Sequence, residues 1–207
     1  MNTTLLLLAD GRFPAGGHAH SGGLEAAVTA GRVRDLETLD GFLRGRLATA
    51  GVVGAAFAAA ACAGGDLPEL EAEFDARTPS PALRKASRAQ GRALLRAGRT
   101  LWTLATAERE LHHPVALGVV AAAAGLTPAE AALTAAYGTV TGPASAAVRL
   151  LGFDPYATHA LVARLAEECD AVAARATTVD DLPACSAPLL DIGAEAHATW
   201  EVRLFAS

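Results

Sequence analysis

Aromatic residues make up only 5% of this 207-residue chain while hydrophobic residues make up 52%, so any core it forms must be filled by small aliphatic side chains. Lysine is almost missing: Lys85 stands alone and every other cation is arginine. Positive charge is in deficit, and a net charge of −5 argues against a general nucleic-acid or anionic-membrane surface. The three cysteines, Cys62, Cys169 and Cys185, contain no C-x-x-C pair, which points away from a zinc or disulfide framework and toward free thiols in a reducing compartment. A G-x-S-x-G elbow and an H-E-x-x-H helix are both absent, so the sequence offers no nucleophile or zinc site of those kinds, and no enzyme and no cofactor are expected. Alternating strand patterns are missing too. The leucines near the N-terminus are not preceded by a basic region and are cut short by Asp10, so a cytoplasmic rather than a secreted protein is expected.

What is present is helical punctuation. Asp35 precedes LETLDGFL, Asp66 precedes LPELEAEF, Thr127 to Glu130 reads TPAE with proline at the first helical position, and Asp154 precedes Pro155. Each is a helix-start signal, because a short oxygen-bearing side chain can accept from the first free backbone N–H groups and proline there loses no needed donor. Breaks at Gly64-Gly65, TPSP, His113-Pro114, Gly125, Gly152 and Pro183 to Pro188 divide the chain into roughly eight to ten helices in one all-α bundle over residues 1–207, with no sheet. The uncharged stretch Leu47 to Gly65 is long enough for a membrane span but is dominated by alanine and glycine, which suits a closely packed soluble helix better. After Pro81, residues Arg84, Lys85, Arg88, Arg92, Arg96 and Arg99 fall within an arc of roughly 120°, opposite Leu83, Leu94, Leu101 and Leu104. Such a basic face suits solvent, ion pairs with Glu69, Glu71, Glu73 and Asp75 on the preceding helix, or an acidic partner. Glu108, His112 and His113 could converge near a metal, but Pro114 is expected to end that helix and no partner ligands are in view, so a capped turn at His113-Pro114 is the better reading, and His159 reads as a surface or core histidine.

Two places are unusual. The first is the loop over 10–23 and the helix start after it, where PAGGHAHSGGLE (Pro14 to Glu25) holds four glycines and two histidines between apolar segments. Gly11 and Gly16 have P-loop spacing, but Gly17-His18 occupies the place of lysine and hydroxyl, so phosphate binding fails. His18 and His20 are weak metal candidates without a third ligand in view. A recognition loop is the better reading, with Ser21 or Gly22 near the cap of the helix from Leu24, and with Glu25 favoured by the helix dipole. The second place is the tail, about 195–207, closing with HATWEVRLFAS. Chain ends are usually polar, so Trp200, Leu204 and Phe205 require cover, either from the protein's own core or from a partner.

The blocks LLLLADGRFPAGGHAHSGGLEAAV, ASRAQGRALLRAG, HHPVALGVVAAAAGLTPAEAAL, SAAVRLLGFDP and HATWEVRLFAS, in that order across nearly the whole chain, resemble the urease accessory protein UreF family. The resemblance implies an all-helical, non-enzymatic protein that dimerises, binds the accessory protein UreD and recruits and regulates the GTPase UreG, so that nickel reaches urease apoprotein at the expense of GTP. Ser21, Gly22, Gly23, Leu24 and Glu25 match the family's S-G-G-L-E, Gln90, Gly91 and Arg92 its middle block, and Arg203, Leu204, Phe205 and Ser207 its closing motif, the part implied to be ordered against UreD. His197 and Trp200 belong to the same closing block, and all of these except Leu24 are taken as partner-binding. Three departures stand out: His18 replaces a common aromatic, Ala198 a glutamate, and Phe153 to Ala157 a glutamine-rich turn. Glu195 and Glu201 are the carboxylates nearest the lost one. Neither nucleic acid nor membrane is implied. Two other classes fit less well. A helical transcription regulator would need a basic helix-turn-helix that residues 1–80 lack, and a small metal-dependent enzyme would have to use the histidines.

Overall fold

The architecture, seen in a computed structural model that describes residues 3–178 and 181–207, follows the caps. Met1, Asn2, Val179 and Asp180 of the expected 1–207 unit lie outside the described residues. The described residues hold eleven α-helical segments: α1 (Thr3–Ala9), α2 (Leu24–Thr29), α3 (Leu36–Arg46), α4 (Val52–Cys62), α5 (Leu67–Arg77), α6 (Pro81–Leu101), α7 (His113–Ala123), α8 (Pro128–Leu151), α9 (Pro155–Arg164), α10 (Ala166–Ala176) and α11 (Pro188–Ala198). A π turn at Leu47–Gly51 joins α3 to α4 into one continuous helix, so the described residues form ten helices and no strand. Asp35 accepts from the Thr38 N–H, Asp66 from Glu69, and Asp154 from Tyr156 and Ala157. Thr127 and Glu130 form the reciprocal capping box that TPAE predicts.

The α4 helix is the spine. Its Ala55 and Ala59 face a cluster built with α2, α3, α8, α9 and α10, while Val53, Phe57, Ala58 and Ala61 face a second cluster with α6 and α7. A helix apolar on all sides must be wrapped, and this one is. Small residues set how closely: a Cβ added at Gly118 of α7 would stand 2.4 Å from the Ala58 carbonyl oxygen of α4, so the two backbones touch. By length and composition Leu36–Cys62 could cross a membrane, yet 56% of its apolar stretch is already covered by this fold.

Three expectations need correction. The α6 helix stops at Leu101, which is 53% exposed, and Leu104 follows the helix, so the buried face of its C-terminal half is made by Leu94, Leu95, Ala97 and Gly98 instead. Pro114 does not end a helix holding Glu108 and His112. It sits in the first turn of α7, where its fixed φ suits the entry and its missing N–H costs nothing. The basic face of α6 is partly paired as foreseen, with Arg84 and Arg88 on Asp75 and Arg88 on Glu71, but Arg92 reaches Glu110 in the connecting segment, and Glu73 pairs within its own helix with Arg77.

Candidate functional site

The Gly/His-rich loop and the C-terminal tail, far apart in sequence, meet. The loop is held at its start by Phe13, buried and stacked on Trp102 with ring centroids 6.5 Å apart, and turns through Gly16 into a short 3-10 turn at Gly17–Ala19. Gly22 and Gly23 both take positive φ, 64° and 87°, conformations that a β-carbon would strain, and they deliver the chain into α2. Opposite, α11 is pinned to the start of α6 through Glu195, which accepts from the Ser80 hydroxyl and the Ala82 N–H, and Gly193 lets it lie close against Ala26 of α2.

From there the tail crosses the loop as a latch. The Ala206 N–H donates to the Ala19 carbonyl at 2.7 Å, and the Ser207 carbonyl accepts from both the Ser21 N–H at 2.6 Å and the Ser21 hydroxyl at 3.0 Å. His20 Nδ1 and the Ser207 hydroxyl share a 2.6 Å hydrogen bond. Glu25 is the centre: its carboxylate accepts from His197 Nε2 at 2.8 Å, the Leu204 N–H at 2.7 Å and the Phe205 N–H at 3.0 Å. Burial alone would raise this carboxyl's pKa, but the bonds from His197 and the two backbone N–H groups outweigh it and hold the group below its usual value. Phe205, 3% exposed, is capped by the Arg149 guanidinium 4.3 Å above its ring, and Arg149 also donates to the His18 carbonyl.

The tail therefore divides. Phe205 turns inward while Val202, Arg203 and Leu204 stay exposed, and Trp200, half-buried, leans on the His197 ring at 4.8 Å. Together with Leu189 and Ile192 on the outer side of α11, Val202 and Leu204 leave four large apolar side chains uncovered, each 60% exposed or more. Ser21, Glu25 and His197 are buried in the latch. Glu25 thus does something that neither capping nor surface docking anticipated: it clamps the tail. Ser21 accepts from the Glu25 N–H, while Gly23 occupies the N-cap position itself. The lost glutamate position, Ala198, is exposed, as is Glu201.

Gln90, Gly91 and Arg92 lie on α6, beside the latch rather than in it; the loop reaches this helix at Ala93, 3.8 Å from where a Gly16 Cβ would stand. Gly91 is buried by packing, since a Cβ there would fall 1.9 Å from the Leu111 carbonyl oxygen. His18 is exposed, and His20 is spent on Ser207. Burial, with His18 nearby, lowers the His20 pKa, and burial with His20 nearby takes His113 down to about 4. Among the described residues no group of three or more His, Cys, Asp or Glu is placed to hold a metal ion. Sequence reasoning missed Arg149, whose position in α8 carries no local signal of a partner in the tail.

A family model named UreF matches residues 33–166. The chain belongs to the UreF family. Proteins named urease accessory protein UreF from Mycobacterium sp. (strain JLS), Mycobacterium marinum and Mycobacterium tuberculosis (strain H37Rv) are 51%, 48% and 44% identical to it, over 98–99% of this chain and 97–98% of theirs. The UreF family name implies an accessory, non-catalytic part in urease maturation. The matched stretch 33–166 covers all of α3–α9 but neither the loop nor the tail, while the relatives align across both.

Proposed function

We propose that this chain is a non-enzymatic scaffold of urease maturation, cytoplasmic and dimeric, which binds UreD through the latch region and recruits and regulates the UreG GTPase, so that nickel, as cargo, is inserted into urease at the expense of GTP. The observation that carries this reading is the division of the tail. Its inward residues fix it to the Gly/His-rich loop, while Val202 and Leu204, with Leu189 and Ile192 of α11, leave an apolar surface next to an ordered backbone. Exposed apolar side chains held on a rigid support are what a protein partner can bury at little ordering cost. The partner-binding roles of Ser21, Gly22, Gly23, Glu25, His197, Phe205 and Ser207 are then indirect: they hold the surface in shape. Trp200, Arg203 and Leu204 stand closer to contact.

Co-expression with UreD, UreG and urease apoprotein, followed by affinity capture on this chain, tests the reading. A variant lacking residues 200–207 is expected to keep its helical circular dichroism and lose UreD. Capture unchanged by the truncation would remove the tail from the interface, and loss of the helical signal would assign the tail to the fold itself.

A further inference from the structure

Arg46 is the last residue of α3, with the π turn beginning at the next residue. Of the five part-buried arginines, Arg44, Arg77, Arg84 and Arg88 each have a carboxylate, and Arg46 has none among the described residues. Its surroundings explain how it is held. Pro143 inside α8 has no N–H, so the carbonyl four residues earlier, Thr139, is released from the helix ladder. Arg46 Nε fills that vacancy, donating to the Thr139 oxygen at 3.3 Å. That uses one N–H of the guanidinium. The Nη1 and Nη2 groups, the two prongs of the fork, make no hydrogen bond among the described residues.

The guanidinium also lies against the loop. A Cβ at Gly22 would stand 3.1 Å from Arg46 Cζ and 3.0 Å from Pro143 Cγ, so the glycine lets the backbone settle directly beside the cation. On the other side of the same turn, Gly23 meets Leu190 of α11, which makes this place continuous with the latch. Gly138 and Gly142, flanking Thr139 and Pro143 along α8, have open space where a Cβ would point. Burial takes the Arg46 pKa down to about 10, with no acidic neighbour to oppose it. A part-buried cation with no counter-charge is costly to keep in an isolated chain.

We propose that the Nη fork of Arg46 is a docking point for a carboxylate side chain of a partner protein that covers the Gly22 turn and the adjoining face of α8. The planar fork matches a carboxylate through two parallel hydrogen bonds, and Nε is already anchored, so the fork is oriented before the partner arrives. The inference rests on the proposed UreD reading for its probe.

The test uses the full chain with Arg46→Gln and Arg46→Lys. The glutamine side-chain nitrogen falls where Nε stood, so it can still donate to Thr139 while charge and fork are gone; lysine keeps charge and loses the fork. Capture of purified UreD is expected to weaken by about tenfold or more for Arg46→Gln, less for Arg46→Lys, with the melting temperature of free Arg46→Gln within about 2 °C of the parent. Equal capture by parent and Arg46→Gln would overturn the inference and leave the UreD reading standing. So would a melting temperature lowered by many degrees, which would make Arg46 a structural cation, or a changed oligomeric state in light scattering, which would make the occupant a second copy. A parent chain that captures no UreD would bring down both readings.

Discussion

The α4–α7–α8 centre and the loop–tail latch are held together by opposite means. In the centre, alanine and glycine let helices approach until backbones touch, with hardly a polar side chain involved; Gly118 against Ala58 is the extreme. In the latch, few side chains pack, and backbone N–H and C=O groups of the loop and the tail are satisfied by Ser21, Glu25 and each other. The first kind of contact tolerates no added atom. The second tolerates atoms but not the loss of an acceptor, because a buried N–H without a partner costs roughly 1–3 kcal/mol. The centre thus sets whether the protein folds, and the latch sets where the loop and the tail stand.

The largest effect that could break this division is expected from Gly118→Val. Its Cβ would fall 2.4 Å from Ala58 oxygen and 2.6 Å from Ala61 Cβ, so α7 must move off α4. A loss of about 3 kcal/mol or more follows from overpacking, or roughly 6–12 °C in melting temperature for a chain of this size. A melt within 2 °C of the parent would show that the centre is softer than its geometry. Gly91→Ala behaves alike, and because the loop lies beside it, any loss of urease activation should track lost stability rather than precede it.

Acid provides the next test. The pKa values of His20, His112 and His113 all lie below their usual value, His113 at about 4, with burial as the leading cause in each. A group whose folded pKa is depressed stabilises above its unfolded pKa, and that contribution is lost as pH falls toward the folded value. Stability should therefore fall between about pH 6.5 and pH 4. Thermal melts at pH 7.5, 6.0 and 4.8 read this directly, and His113→Asn should flatten the curve. A melting temperature constant over that range would refute the assignment.

Within the latch, Glu25→Gln removes the charge while keeping one acceptor oxygen for two backbone N–H groups and His197. A cost of about 1–3 kcal/mol is expected, confined to the tail. Hydrogen exchange should show Leu204 and Phe205 amides losing protection while those of α4 and α7 do not. Loss of protection across the whole bundle would make the latch part of the global fold.

The centre was legible in sequence because its information is local. Asp35, Asp66, Thr127 and Asp154 announce helix starts wherever they occur, and the run Leu47 to Gly65 announces a wrapped helix by composition alone. The latch was legible only in part. The odd composition of residues 14–25 and the apolar tail marked two places, but no periodicity encodes that Glu25 receives Leu204 and Phe205, which lie 179 and 180 residues away. Pro114 was legible as a break between helices but not as a start, because proline is common both in the first turn of a helix and just after one has ended, and only the fold, with Leu111 and His112 lying against Gly91, shows that it opens α7. Arg46 carried no signal at all, since its partner carbonyl is freed by a proline on another helix.

The smallest stability effect carries the sharpest functional contrast. Val202 and Leu204 are 89% and 60% exposed, so Val202→Ser with Leu204→Ser removes little buried surface. Substitutions at such positions usually change stability by less than about 0.5 kcal/mol, and the backbone bonds from residues 204 and 205 to Glu25 stay available. The double variant should melt with the parent and keep its tail amides protected, yet lose most UreD capture, because apolar anchors on a rigid support carry a large share of interface energy. Glu25→Gln is the complementary case, with anchors intact and support loosened, and its capture should fall by less, in step with the lost protection of the tail. If Val202→Ser with Leu204→Ser captures UreD as the parent does while Glu25→Gln does not, the outward side chains are bystanders, and the ordered backbone of the latch is itself what the partner reads.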